Sequence, residues 1–174
     1  ARATPGFDER LATTLAVLRN ATRVHAGRIV QATSLGAEDM VLTDLIARHA
    51  LPITLATLDT GKLHDETLAL IPRIEQRYGL TVQRFRPAEA AVVQFVATHG
   101  ERAMFDSVEL RKSCCALRKL EPLSRMLEGM GAWVTGLRRE QSMQRADVPP
   151  YEVEHTGRVK FNPLAAWSWA DVWH

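Results

Sequence analysis

Arg28-Ile29-Val30-Gln31-Ala32-Thr33-Ser34-Leu35-Gly36-Ala37-Glu38-Asp39 runs from an apolar segment through a small-residue turn into a pair of acids. Arg28 to Thr33 reads as a short strand and Ala37 to about Ala50 as the helix that follows, with Glu38 and Asp39 in its first turn. Strand, tight turn and helix in immediate succession aim backbone N–H groups and a helix dipole at an anion. No Gly-Lys-Ser or Gly-Lys-Thr follows, so this is not the Walker pattern. Taken alone, a Ser-x-Gly turn is more often only a tight connection.

The unit recurs along the chain. Pro52 opens an apolar strand from Ile53 to Leu58, which runs into Asp59-Thr60-Gly61-Lys62 and then a helix from about His64 to Tyr78, stopped by Gly79. Pro72 either kinks that helix or marks a fresh start. Leu80 to Phe85 is a third strand and Ala88 to His99 a helix; Leu120, Leu123, Leu127 and Met130 mark a helix face, and Ala132 to Thr135 is a fourth strand ending at Gly136. Upstream, residues 8 to 26 form a helix with Asp8 as cap, Leu11, Leu15 and Leu18 on one face and Gly27 beyond. Alternating strands and helices of these lengths imply right-handed crossovers, hence an α/β fold with a parallel sheet flanked by helices. Ligands of such sheets bind at the carboxyl ends of the strands. Three of those ends carry polar, glycine-containing turns: Ser34 to Gly36, Asp59 to Gly61 and Gly136 to Arg139.

Length and composition set the outer bounds. A chain of 174 residues, 46% hydrophobic and 24% charged, fits one globular domain with a real core. No apolar run reaches membrane-span length, and charges stand where a signal peptide has its apolar region, so the expectation is a cytoplasmic protein without a membrane partner. A net charge of +2 makes no general demand for nucleic acid. Oligomeric state is not legible, and a homo-oligomer is compatible with the sequence.

Both cysteines, Cys114 and Cys115, are adjacent and lie among Arg111, Lys112, Arg118 and Lys119. Adjacent cysteines cannot staple distant parts of a fold. Neighbouring cations favour the thiolate, the form that attacks electrophiles and binds metals. Two small buried side chains are the bland alternative, but a core segment would not normally keep so many cations beside them. Farther on, Arg138, Arg139, Glu140, Gln141, Ser142 and Arg145 make an arginine-rich loop suited to phosphate or sulfate, although composition alone favours a solvated loop. Residues 151–154 and 159–161 read as a hairpin, and Ser168 with Asp171 as a helix start. That helix ends with the chain at His174 after little more than a turn, leaving Trp167, Trp169 and Trp173 without a packing surface; the expectation is that the natural protein continues.

Five stretches together resemble the assimilatory sulfonucleotide reductases, the APS/PAPS reductase family, and within it the adenylyl-sulfate (APS) reductases. They are Ser34 to Asp39, Leu58 to Gly61, Lys112 to Leu123, Gly136 to Ser142, and Asn162-Pro163-Leu164 with Asp171-Val172-Trp173. The resemblance implies an adenine-nucleotide α-hydrolase-like, Rossmann-like fold, and an oxidoreductase that reduces APS to sulfite and AMP with thioredoxin or a similar thiol carrier, in sulfate assimilation and cysteine biosynthesis. It further implies that Cys114 and Cys115 ligate a 4Fe-4S cluster together with a later CxxC pair, and that a separate cysteine attacks the sulfate sulfur to form a thiosulfonate. Neither later element is present in this sequence, so two of four cluster ligands are named and no nucleophile.

Under the resemblance Ser34 and the N–H groups from Leu35 through Gly36 to Ala37 hold phosphate oxygens, and Asp59, Thr60 and Gly61 line the adenosine. Arg138, Arg139 and Arg145 close over the phosphosulfate. Lys119, one helical turn from Cys115, faces both cluster and sulfate. Glu38 and Asp39 serve the helix N-terminus. The rivals are a phosphoadenylyl-sulfate (PAPS) reductase, which usually lacks the cysteine pair, and a non-catalytic nucleotide or iron–sulfur binding protein. ATP-splitting pyrophosphatases of this fold want a fuller Ser-Gly-Gly-x-Asp-Ser loop, which Ser34-Leu35-Gly36 does not supply.

Overall fold

A computed structural model describes residues 3–174. Six strands form one sheet in the order β3-β2-β1-β4-β6-β5: β1 Ile29–Thr33, β2 Thr54–Leu58, β3 Val82–Phe85, β4 Ala132–Val134, β5 Tyr151–Val153 and β6 Val159–Phe161. All neighbours are parallel except the β5/β6 hairpin, which closes one edge. The hairpin expected from sequence therefore exists, but its second strand also extends the main sheet through the pairs Trp133↔Lys160 and Val134↔Phe161. From β1 the chain winds out through α2 (Ala37–Arg48) to β2, then through α3 (Asp65–Leu68) and α4 (Leu70–Tyr78) to β3. It returns to the other side of β1 by way of α5 (Glu89–His99), α6 (Val108–Cys115) and α7 (Glu121–Met126). The direction of winding thus reverses between β1 and β4, where a crevice opens at the strand ends.

Two cores hold the layers together. The larger joins Leu18 of α1 (Phe7–Val24), Leu42 and Ile46 of α2, and Ile71 and Ile74 of α4 to Ile29, Leu55 and Val134 of the sheet. Trp167 and Val172, flanking and within α8 (Trp169–Val172), complete it. The smaller lies on the opposite face, where Met126 and Leu127 cover Val30 and Ala56. Burying a leucine or isoleucine side chain stabilises by about 1.5–3 kcal/mol. Among the described residues no helix is long and apolar enough to cross a membrane.

Local details correct several expectations. α1 is capped by Gly6 in left-handed conformation, φ 73°, and Asp8 sits inside the first turn as a dipole partner instead of a cap. The helix expected from about His64 to Tyr78 is two helices, with Pro72 in the first turn of the second, where its missing N–H costs little. Leu120 does not share the buried face of Leu123 and Leu127: it is 58% exposed, because a π turn, Ala116–Leu120, shifts the helical register. α8 begins with the expected capping box between Ser168 and Asp171, and Asp171 is tied back to Thr4 and Arg10. Burial works against its charge, but Arg10, Thr4 and Ser168 hold the Asp171 carboxyl far below the ordinary range.

Candidate active site

The turn after β1 is held from beneath. Gln31, fully buried in the middle of β1, donates to the Asp39 carbonyl and accepts from Thr43, anchoring α2 to the strand. Leu35 adopts φ 63°, a left-handed conformation costly for a leucine, and its buried side chain in the larger core fixes it there. The Ser34 amide and hydroxyl both donate to Asp39 Oδ2, at 2.6 and 2.5 Å. Ser34 is thus engaged by Asp39, while its Oγ accepts from the Gly36 N–H at 3.3 Å. Asp39 is 5% exposed, and its Oδ1 has no hydrogen-bond partner. Burial pushes its carboxyl above the ordinary range against the pull of the Ser34 donors and the nearby Gly136 backbone N–H. Asp39 is therefore more than the helix-end acid expected: it braces the loop from inside.

The turn after β2 is built differently. Asp59 accepts from Arg84 Nη2 and Arg86 Nε, each at 2.7 Å, and from the Gly61 N–H at 3.3 Å. Burial alone would raise its pKa, but the two guanidiniums hold the carboxyl below its usual range. The Thr60 carbonyl accepts from Arg118 Nη1 at 2.8 Å. Asp59 thus faces Arg84 of β3 and Arg86 just beyond it, while Thr60 is the residue of this turn that lines the central cavity.

Two adjoining cavities follow the strand ends. One, of about 280 Å³, lies among Ser34, Thr57, Thr60, Lys119, Met126 and Trp133. The other, of about 320 Å³, lies at the β1/β4 crevice among Ser34, Asp39, Gly136, Arg145 and Lys160. Ala32, Ser34 and Trp133 line both, so together they form one cleft with Ser34 at its centre. The sequence-predicted residues Ser34, Thr60, Lys119 and Arg145 line it, and Asp59 and Gly61 line an adjoining hollow beside Arg86 and Arg118 that meets the cleft at Thr60 and Leu63.

Two arginines depart from expectation. Arg138 is 3% exposed: Nη2 and Nε reach Glu38 Oε1 at 2.8 and 3.1 Å, Nη1 donates to the Trp167 carbonyl, and the guanidinium lies 5.3 Å from the Trp169 ring. Gln141 adds a third donor to Glu38, and together they outweigh burial to lower its pKa. With its charge compensated by Glu38 beneath the loop, Arg138 holds the cleft's wall and does not reach over it. Arg139 is exposed and donates to the Val148 carbonyl. Arg145 is bonded to Gln141 at the cleft's rim.

Cys114 and Cys115 are the last two residues of α6, the first buried and the second exposed. On a helix adjacent side chains diverge by roughly 100°, and the π turn that begins at Ala116 re-aims the next residues so that Lys119 enters the cleft. Such turns occur often at functional sites. Arg118 Nε, in the same turn, is buried with no acceptor. An iron–sulfur cluster is usually held by four thiolates; the sequence contains 2 cysteines, and among the described residues no group of three or more His, Cys, Asp or Glu is placed to hold a metal. The two thiols supply half of such a ligand set.

Sequence reasoning missed Trp133 and Lys160 as cleft residues, and Arg84 and Arg86 as partners of Asp59. The alternation of Arg84 and Arg86 at the end of a strand was the available signal for the latter: period two puts both on one face.

Comparison with known proteins identifies the family. Residues 28–174 match the phosphoadenosine phosphosulfate reductase domain. An adenosine 5'-phosphosulfate reductase of Burkholderia cepacia is 52% identical over 143 residues, 82% of this chain and 57% of that protein. One from Allochromatium vinosum is 53% identical over 146 residues, 83% of this chain and 57% of that protein. The chain thus spans little more than half the length of these relatives. Among solved structures, the phosphoadenylyl-sulfate reductase of Candida auris in phosphate complex superposes with a TM-score of 0.73 at 27% identity, covering 99% of this chain and 84% of that one. The FMN adenylyltransferase of Candida glabrata, at 17% identity and TM-score 0.63 over 99% of this chain and 58% of that one, shares the fold alone. By its matched domain, the chain belongs to the phosphoadenosine phosphosulfate reductase family.

Proposed function

We propose that this chain is the nucleotide-binding domain of an adenylyl-sulfate reductase, which reduces adenylyl sulfate to sulfite and AMP at the expense of a dithiol carrier such as thioredoxin. The observation that carries the reading is the meeting of two segments: Lys119, from the cysteine-bearing turn, lines the same cavity as Ser34 and Thr60. A nucleotide seated there has its phosphosulfate between the anion-binding turn and the cations.

The chemistry that follows is a thiol displacement. A thiolate attacks the sulfate sulfur, the sulfur–oxygen bond to the phosphate breaks, and AMP leaves with the bonding electrons. A second thiol then attacks the resulting thiosulfonate, releasing sulfite and leaving a disulfide. The residues of this chain orient the substrate and stabilise the charge that grows on the phosphate oxygen: Lys119 at one end of the cleft, Arg145 at its rim, and N–H groups at the start of α2. Arg138 acts at one remove, as the clamp that fixes Glu38 and the loop. Cys114 and Cys115 are proposed as two thiolate ligands of a 4Fe-4S cluster, whose chemistry when bound is electrostatic or redox influence beside the sulfate. No step above passes through it. Retention of the cysteine pair favours adenylyl sulfate over its 3'-phosphorylated form. A reducing compartment, the cytoplasm, suits those thiols.

The test is the gene product expressed whole and purified without oxygen. The reading predicts brown protein with about four irons per chain that releases sulfite from adenylyl sulfate when a dithiol is supplied. Colourless, iron-free and folded protein would remove the cluster assignment, and turnover only with the 3'-phosphorylated nucleotide would overturn the substrate.

A further inference from the structure

We propose that Lys160 is a further ligand-binding residue of this cleft, the cation that meets the nucleotide's phosphate on the side of β6. The inference rests on the reading of the cleft as a nucleotide site and adds a residue to it. Lys160 pairs in register with Trp133 of β4, which pairs in turn with Val30 of β1, so the three share one face of the sheet. Its side chain is 19% exposed and lines the crevice with Ser34, Asp39, Gly136 and Arg145. The ammonium lies 2.8 Å from Glu152 Oε1 across the hairpin and 5.3 Å from the Trp133 ring.

A lysine four-fifths buried in mid-strand is costly without a compensating charge. Its present partner, Glu152, is 45% exposed and part of an edge hairpin, so water competes for the pair and its net worth is small. A phosphate in the crevice is a better-shielded partner, and a charge-assisted hydrogen bond to it gains more than the surface pair loses. The other charges at this end are already committed. Glu38 is held by Arg138, Asp39 by Ser34, and Arg145 is exposed and bonded to Gln141. Lys160 is the cation there that is both ordered and turned inward. The indole beneath it, fixed by its own bond to Glu154 at 2.9 Å, keeps the ammonium off the sheet.

The experiment titrates the chain with AMP and with adenosine, in the wild type and in Lys160→Met, Lys160→Arg and Glu152→Gln. AMP affinity should fall about tenfold in Lys160→Met, with adenosine affinity unchanged, and should be retained in Lys160→Arg and in Glu152→Gln. Wild-type affinity for AMP in Lys160→Met would overturn the proposal while leaving the nucleotide site standing. Equal loss of AMP and adenosine in Lys160→Met would assign the lysine a purely structural role and also overturn it. Failure of the wild type to bind AMP at all would instead remove the nucleotide reading on which the proposal rests.

Discussion

Asp39 and Asp59 stand just past the ends of neighbouring strands and are equally hidden, at 5% and 4% exposure, yet they are surrounded by opposite chemistry. Asp59 has two guanidiniums at 2.7 Å, so its charge is cancelled within the fold and its turn is set before any ligand arrives. Asp39 has no cation: one oxygen takes both Ser34 donors, and the other lies against the Gly136 backbone without a well-formed hydrogen bond. The first arrangement is a strut. The second leaves a buried acid without a cation under the turn proposed to receive the anion, the kind of perturbed group found where ligands act. An anion arriving at Ser34 competes with Asp39 for the same hydroxyl.

The largest effect that sharpens this contrast comes from Arg138, the cation serving the Asp39 side indirectly through Glu38. Arg138→Met should cost about 3 kcal/mol in urea unfolding, because it strands Glu38, a carboxylate only 16% exposed. A loss below about 1 kcal/mol would mean that Glu38 is well solvated and that the loop does not depend on the clamp. Next comes Gly136→Ala. A Cβ there would stand 2.6 Å from Asp39 Oδ1 and 3.1 Å from the Asp39 amide nitrogen, and the backbone cannot yield as a side-chain tip can. A loss of about 1–3 kcal/mol is expected. Asp59→Asn should cost less, about 1 kcal/mol, since Arg84 and Arg86 are 40% and 63% exposed and water takes over their hydration.

The smallest effect is the most diagnostic, because its sign differs between the two acids. Asp59 has a lowered pKa in the folded state, so its contribution is present above the unfolded value near 3.8 and is lost as pH falls through the folded one. Asp39 has a raised pKa, so the folded state holds its proton longer and stability declines as pH rises from 3.8 through the folded value. Urea midpoints measured between about pH 3 and 7 should therefore show Asp39→Asn gaining on the wild type as pH rises. Asp59→Asn should fall behind it. The same slope for both variants would erase the distinction.

How much of this was legible in the chain follows from the range of each interaction. The strands, the turns at their ends and the capping box of Ser168 and Asp171 are local patterns, and the structure keeps them. Arg138 looked like an anion-binding residue because its partner, Glu38, lies 100 positions away and nothing local announces the pair. Lys160 was hidden for a related reason: only the parallel pairing of β6 with β4 brings it to the cleft, and a three-residue strand carries no signal of its neighbour. The π turn was concealed because leucine spacing assumes a uniform helix, which the insertion at Ala116–Leu120 breaks.

The central claim is that the cleft centred on Ser34 receives an adenine nucleotide. Titrating the isotope-labelled chain with AMP and following its backbone amides by NMR tests this most directly. The account predicts the largest shifts at Ser34 to Glu38, Thr60, Gly136, Leu137 and Lys160, with little change at Arg84 and Arg86. Shifts confined instead to the apolar groove between α1, α2 and α4, around Leu11, Val41 and Tyr78, would contradict it.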